Sequence, residues 1–290
     1  MRSLLLASVL CLVALVRPPA SQPAAAETPP SPLRVMSFNI RYDNPGDGEH
    51  RWANRRPLVA SVVRFHEVDL LGVQEALDHQ VRQLAEDLPG MDWTGVGRDD
   101  GKAAGEYAAI FYNRERLEVR AHGTFWLSPT PEAAGSKGWD AALPRIATWA
   151  RFRDRAGGGE FLAVNTHFDH RGEQARRESA RLLVERATAL ADGLPVVITG
   201  DFNSEPDSQA YRTMAAALQD ARSAAPGGPF GPEGTFGTFV PHAGPAPRID
   251  YIFLSEGVAA RRSGTLSYQW AGRHASDHFP VYAEVVLPDR

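Results

Sequence analysis

The sequence predicts an α/β protein in which β-sheets pack on each other and helices cover them. Apolar, β-branched and aromatic runs, broken by Gly, Pro and Asp, crowd the middle of the chain. Helix-like stretches are scattered among these runs instead of alternating with them, so a doubly wound parallel sheet does not fit. Past the first 32 residues no linker, repeat or low-complexity tract interrupts the 290-residue chain, and residues 33–290 read as one domain.

In order, residues 33–40 read as a strand and 54–65 as a helix with Leu58, Val62 and Phe65 on one stripe. Residues 69–73 are a short apolar strand and 78–88 a second helix. Four β-like runs follow, 107–112, 117–127, 145–153 and 160–166, the last two separated by a turn at Gly157, Gly158 and Gly159. The strongest helix is 173–191. Ala180, Leu183, Val184, Ala187 and Ala191 share one face there, and Glu173 and Arg177 are spaced as an i,i+4 pair. Strands at 195–199, 248–254 and 278–287 complete the order.

The first 26 residues read as an export signal. Arg2 precedes a 13-residue apolar run from Leu4 to Val16, too short to span a bilayer comfortably, and Ala24, Ala25 and Ala26 offer the small-residue pattern a signal peptidase cleaves. The expectation is a signal peptide at 1–26, a Pro-rich leader at 27–32, and an exported monomer, periplasmic or extracellular, without a stable membrane span. An uncleaved anchor is the alternative. A lipid on Cys11 fits less well because bulky Leu10 precedes it. Cys11 is the one cysteine, so beyond the leader there is no disulfide framework and no cysteine-based metal or nucleophile chemistry.

Cleavage after Ala26 would remove Arg2 and Arg17 and no acid, taking the formal charge from −4 to −6. Proteins that grip duplex nucleic acid through many phosphates usually carry a basic face and a high pI, whereas the pI here is about 6.1. Lys102 and Lys137 are the sole lysines, which reads as composition bias before function.

Polar residues recur where apolar strands end: Asn39, Glu75, His167, the Asp201-Phe202-Asn203 trio, Asp250, and Ser276-Asp277-His278. Taken singly, each is an ordinary turn former, cap or packed histidine. Together they line one rim of a sheet. If the chain stays extended, Asp201 and Asn203 point to the same side and Phe202 into the core. Asp250 sits in an apolar run and needs a partner, for which His278 is the natural candidate. Glu75, Asp201, Asp277, Asn39 and Asn203 form a hard oxygen set without thiolate, suited to Mg²⁺ or Mn²⁺ above zinc. A hard cation beside an imidazolium is what phosphoryl chemistry needs.

The series Ser37-Phe38-Asn39-Ile40, Gln74-Glu75, Thr166-His167-Phe168, Gly200-Asp201-Phe202-Asn203-Ser204, Arg248-Ile249-Asp250-Tyr251 and Ser276-Asp277-His278-Phe279-Pro280 resembles the endonuclease/exonuclease/phosphatase superfamily of DNase I-like fold. The resemblance implies a four-layer α/β/β/α sandwich of two mainly antiparallel sheets with the site at one rim. It implies Glu75 as main metal ligand, Asn39 at the metal or phosphate, and Asp277 beside the metal. By the same resemblance Asp201 with Asn203 activates water, Asp250 orients a phosphate-binding His278, and His167 assists the leaving group or the transition state. Glu106 and Arg145 resemble substrate-binding positions of exported bacterial members, or are simply paired at strand ends. Asp43, Arg51 and Trp52 are candidates for a substrate wall, or a turn before a helix. Asn39 is followed by Ile40 and Arg41, so the second acid of the Asn-x-Asp motif of abasic-site nucleases is missing.

The sequence thus points to an exported Mg²⁺-dependent phosphodiesterase or phosphatase that uses direct water attack. Small phosphoesters and lipid head groups rank ahead of nucleic acid as substrates. A secreted nuclease and a non-catalytic binding protein on the same scaffold are the rival readings. A glycosidase built on two of the carboxylates would stay active after metal removal.

Overall fold

The computed structural model describes residues 31–157, 159–239 and 246–288, so the expected signal peptide and most of the expected leader lie outside the described residues. Two six-stranded sheets stack face to face. The first runs in the order β11 (Ala259–Thr265), β12 (Val281–Val286), β1 (Leu33–Asn39), β2 (Leu70–Ala76), β4 (Tyr107–Asn113), β3 (Met91–Thr94). The second runs β5 (Leu117–Trp126), β6 (Ile146–Asp154), β7 (Glu160–His167), β8 (Val196–Asp201), β10 (Asp250–Leu254), β9 (Gln219–Asp220). The pairs β1/β2 and β7/β8 are parallel and the rest antiparallel.

Three apolar cores define four layers. Helices α1 (Trp52–Phe65) and α2 (Asp78–Asp87) bury Val59, Val62, Val81 and Leu84 against Met36, Phe38 and Phe111 of the first sheet. Between the sheets, Val35, Leu70, Ile110 and Val285 meet Phe152, Phe161, Val197 and Ile252. Helices α3 (Glu173–Ala191) and α4 (Gln209–Ala217) close the far side, placing Leu183, Ala187 and Met214 on Leu162, Val164 and Ile198. Strand β1 shows the period of two directly: Met36 and Phe38 face the helices while Leu33 and Val35 face the other sheet. This is the expected α/β/β/α sandwich.

The space between the sheets turns polar toward one end. Asn165 donates to the carbonyls of Val73 and Ala109 at 2.9 Å, and its side-chain oxygen accepts from Gln74 at 2.6 Å and Thr199 at 3.0 Å. Gly72 makes this crossing possible, because a Cβ there would stand 2.0 Å from Thr199 Oγ1. At the opposite end, fully buried Asp69 accepts from Arg34 and Arg116, and Arg116 also donates to the carbonyls of Ser31 and Pro32.

Local expectations depart from the structure at a few places. Phe65 is 77% exposed, because the buried face of α1 runs through Trp52, Arg55, Val59, Val62 and Val63 and leaves the last residue outside it. Arg177 bonds Glu178 at 3.2 Å instead of Glu173. Elements α4, α5 (Ala221–Ala224), β3, β9 and β11 and a 3-10 turn at Pro45–His50 carry too few periodic apolar residues to stand out in the sequence.

Candidate active site

Strands β1, β2, β7 and β8 end, and β10 begins, at the polar end of the sandwich, and the segment before β12 arrives there as well. Their terminal side chains meet around a cavity of about 330 Å³ lined by Glu75, His167, Asp201, Asn203, Asp277 and His278 among others. A register shift between Val73 and Ala76 interrupts the β2/β4 ladder, and Glu75 takes a left-handed φ of 65° within it. Bulges of this kind re-aim a side chain. Here Glu75 turns toward the mouth, where its two oxygens accept from Asn39 Nδ2 at 3.0 Å and from the Tyr42 backbone at 3.3 Å.

Buried Asn39 bridges the two halves of the site. Its Nδ2 also donates to Asp201 Oδ2 at 2.9 Å, while its Oδ1 accepts from the Arg41 backbone at 3.0 Å. In this orientation an N–H₂ group faces the carboxylates. Asp201 Oδ1 accepts from the Asn203 backbone at 2.9 Å. Asn203 has φ 46°, so the chain turns there instead of staying extended, and its side chain leaves Asp201 for Phe168 O at 3.0 Å and His167 Nε2 at 3.1 Å. Phe202 packs among Phe168, Tyr251 and Phe253.

Asp250 and His278 form a buried pair, Oδ2 to Nδ1, at 2.9 Å. Burial disfavours the His278 cation, but Asp250 and Asp201 outweigh it and hold the ring protonated well above its ordinary value. Its Nε2 lies 3.8 Å from Asp201 Oδ2. Burial, then the Asp250 carboxylate, pushes Asp201 up to about 7. Asp277 is likewise raised by burial and by Glu75, against the pull of His278 and Arg41. His167 behaves in the opposite sense. Burial, then Arg145 and Arg98, hold it far below its ordinary value, and the Asn203 amide fixes its proton on Nδ1, 3.8 Å from Glu106 Oε2.

One atom from each of Glu75, Asp201 and His278 falls within 4.8 Å of the others, the spacing of a metal cluster. Asp250, bonded to Nδ1, and Asp201 favour the His278 cation, the form that donates to an oxyanion. The carboxylates are the better donors. Glu75, Asp201 and Asp277 line one mouth, where burial and neighbouring carboxylates raise both Asp201 and Asp277, and a hard divalent ion there would relieve that repulsion.

Arg145 is 4% exposed and donates Nε to Asp169 at 3.4 Å and Nη2 to His170 Nδ1 at 2.9 Å. Its Nη1 is buried without a partner among the described residues. Both oxygens of Glu106 are taken by Arg98, at 2.6 and 2.8 Å. Glu106 therefore stands at the mouth as half of an ion pair. The proposed wall dissolves: Arg51 pairs with Asp43 at 3.2 Å, and Trp52 is buried in the core with its Nε1 donating to Gln83 at 2.6 Å. The lining instead includes Arg41, Tyr42, Leu143, His170, Phe236 and Ile249. Sequence reasoning missed His170, although it stands three residues past His167, and Arg98, which lies in a loop with no periodic signal.

Residues 36–278 match the model of the Endonuclease/Exonuclease/phosphatase family. A solved endonuclease/exonuclease/phosphatase structure from Bacteroides vulgatus is 42% identical with a TM-score of 0.85, covering 88% of this chain and 98% of that one. The mannosyl-6-phosphatase of Bacteroides thetaiotaomicron is 41% identical with a TM-score of 0.83, covering 88% of this chain and all of that one. Nocturnin from Drosophila melanogaster is 26% identical over 205 residues, 63% of this chain, and the match spans only 30% of that longer protein.

Proposed function

The chain belongs to the endonuclease/exonuclease/phosphatase family of phosphoester hydrolases, and from that premise we propose that it removes the phosphate from a small monoester, a sugar phosphate foremost, with Mg²⁺ or Mn²⁺. The observation that carries the reading is the pairing within one mouth of a carboxylate cluster, Glu75, Asp201 and Asp277, with the cations Arg145 and His278. The likeness to a mannosyl-6-phosphatase over nearly the whole fold favours a monoester with a sugar as its alcohol half.

Glu75 and Asp277, with Asp201 adjoining, would hold the divalent ion. Bound there, it supplies Lewis-acid neutralisation of phosphoryl charge. The chain's own residues do the rest. His278, aligned by Asp250, donates from Nε2 to a phosphoryl oxygen. Asp201, raised to about 7 and braced by the Asn203 and Asn39 N–H groups, accepts a proton from the water that attacks phosphorus. The bond from phosphorus to the alcohol oxygen breaks as the new one forms, with no covalent enzyme intermediate, and the departing oxygen takes its proton from solvent water. His167 is neutral and its Nε2 accepts from the Asn203 amide, so it positions Asn203 and does not protonate the leaving group. Asn39 keeps Glu75 and Asp201 apart by donating to both.

Residues 1–26 act, in the same reading, as a cleaved export signal, which the N-terminal sequence of the mature protein would test. The activity test is a panel of mannose 6-phosphate, p-nitrophenyl phosphate, a chromogenic diester, a sphingomyelin-like lipid and duplex DNA, with and without chelator. Release of inorganic phosphate from the monoesters, lost on chelation and restored by Mg²⁺ or Mn²⁺, is expected. Undiminished hydrolysis after exhaustive chelation would remove the metal from the mechanism, and a preference for the diester would move the protein among the phosphodiesterases.

A further inference from the structure

The loop from β7 to α3 carries a polar side chain that the reaction derived above does not use. His170 lines the same cavity as the catalytic groups and is exposed at its rim. Its Nδ1 stands 2.9 Å from Nη2 of Arg145. A guanidinium can only donate, so Nδ1 is the acceptor, the ring is neutral, and its single proton sits on Nε2, the nitrogen on the other side of the ring. That Nε2 has no hydrogen-bond partner among the described residues.

The ring is held from a rigid base. Arg145 is almost fully buried and bonds Asp169, which itself accepts the backbone N–H groups of Arg171 at 2.9 Å and Gly172 at 2.7 Å. Burial and the adjoining Arg145 charge both lower the His170 pKa, in keeping with a neutral ring. The rim therefore presents an oriented, uncharged N–H donor next to the cations that take up the phosphate. A neutral donor distinguishes ligands by their uncharged oxygens, and in the proposed reaction His278 already donates to the phosphate.

We propose that His170 is a substrate-binding residue whose Nε2–H donates to a hydroxyl or ring oxygen of the alcohol half, so that the enzyme selects polyhydroxylated alcohols over aryl or acyl-chain ones. This rests on the monoesterase reading of the cavity. Glutamine at this position can reproduce both bonds, its side-chain oxygen accepting from Arg145 and its N–H₂ donating to substrate, whereas alanine can make neither.

The experiment compares kcat/KM for mannose 6-phosphate and p-nitrophenyl phosphate in the wild type, His170→Ala and His170→Gln. With His170→Ala the sugar-to-aryl ratio should fall by about fivefold to tenfold, the scale of one hydrogen bond, chiefly through KM for the sugar ester. His170→Gln should restore most of it. Equal losses on both esters would make His170 a support of Arg145 and overturn the proposal, as would an unchanged ratio or a glutamine variant no better than alanine. A wild type inactive on both esters would instead overturn the monoesterase reading beneath it. Nitrogen-15 spectra of the imidazole in the resting wild type give an independent reading. The Nε2–H tautomer at pH 7 is expected, and an imidazolium or the Nδ1–H tautomer would overturn the proposal.

Discussion

At the scale of single residues, Asp250 and His278 constitute one device, a carboxylate that fixes a tautomer and a charge. Asp250→Asn and His278→Ala should lower kcat by similar amounts, and the double variant should fall little below the worse single one. Losses that multiply would show two independent contributions. Asp201→Asn should keep the fold, because the amide can still accept from the Asn203 backbone, yet lower kcat by roughly 10²-fold or more, the scale of lost general-base assistance. A variant within a few-fold of wild type would place the base elsewhere. The residues that gather at the mouth were legible because each stands at or beside an end of an apolar strand, Asp250 at the start of β10 and His278 ahead of β12, and strands deliver their ends to a common rim. What each contacts was not legible. Nothing in the spacing of Glu106 and Arg98 tells that they form a two-pronged ion pair, and the turn at Asn203 depends on a left-handed backbone that its sequence permits without requiring.

At the scale of elements, the two sheets cross through a polar layer with no slack at Gly72. A methyl there would stand 2.0 Å from Thr199 Oγ1 and 2.5 Å from Asn165 Oδ1, side chains already fixed in one network. Gly72→Ala should therefore destabilise the fold by about 1–3 kcal/mol, the usual range for overpacking. The measurement is thermal or denaturant unfolding, and an unchanged midpoint would mean that the layer yields freely. Long elements such as α3 announce themselves through a sustained apolar face. Helix α4 does not, because only Ala210 and Met214 are buried, two positions that cannot establish a period. Strand β11 hides for a related reason: Arg261 and Arg262 on an edge strand break the apolar run.

At the scale of the whole molecule, charge argues against polyanions. The expected mature chain carries −6. Two of the arginines at the mouth are engaged by acids, Arg41 by Asp47 and Arg98 by Glu106. Duplex DNA should bind weakly even at low salt, without the affinity loss of about 10³–10⁵ between 50 and 200 mM salt that six to ten phosphate contacts produce. Its kcat/KM should fall below that of mannose 6-phosphate, and faster turnover of DNA would reverse the ranking of substrates.

The course of β1 and β12 has a practical side. Leu33 pairs with Val285 at the end of the sandwich where Arg116 grips the Ser31 and Pro32 carbonyls, while the mouth lies where β1 finishes. Ser31 and Val286 thus both lie at the back of the enzyme. A resin, a reporter domain or a bilayer attached at Ser31 or Val286 would leave the opening turned outward, and protein immobilised at either residue should keep the turnover it has in free solution.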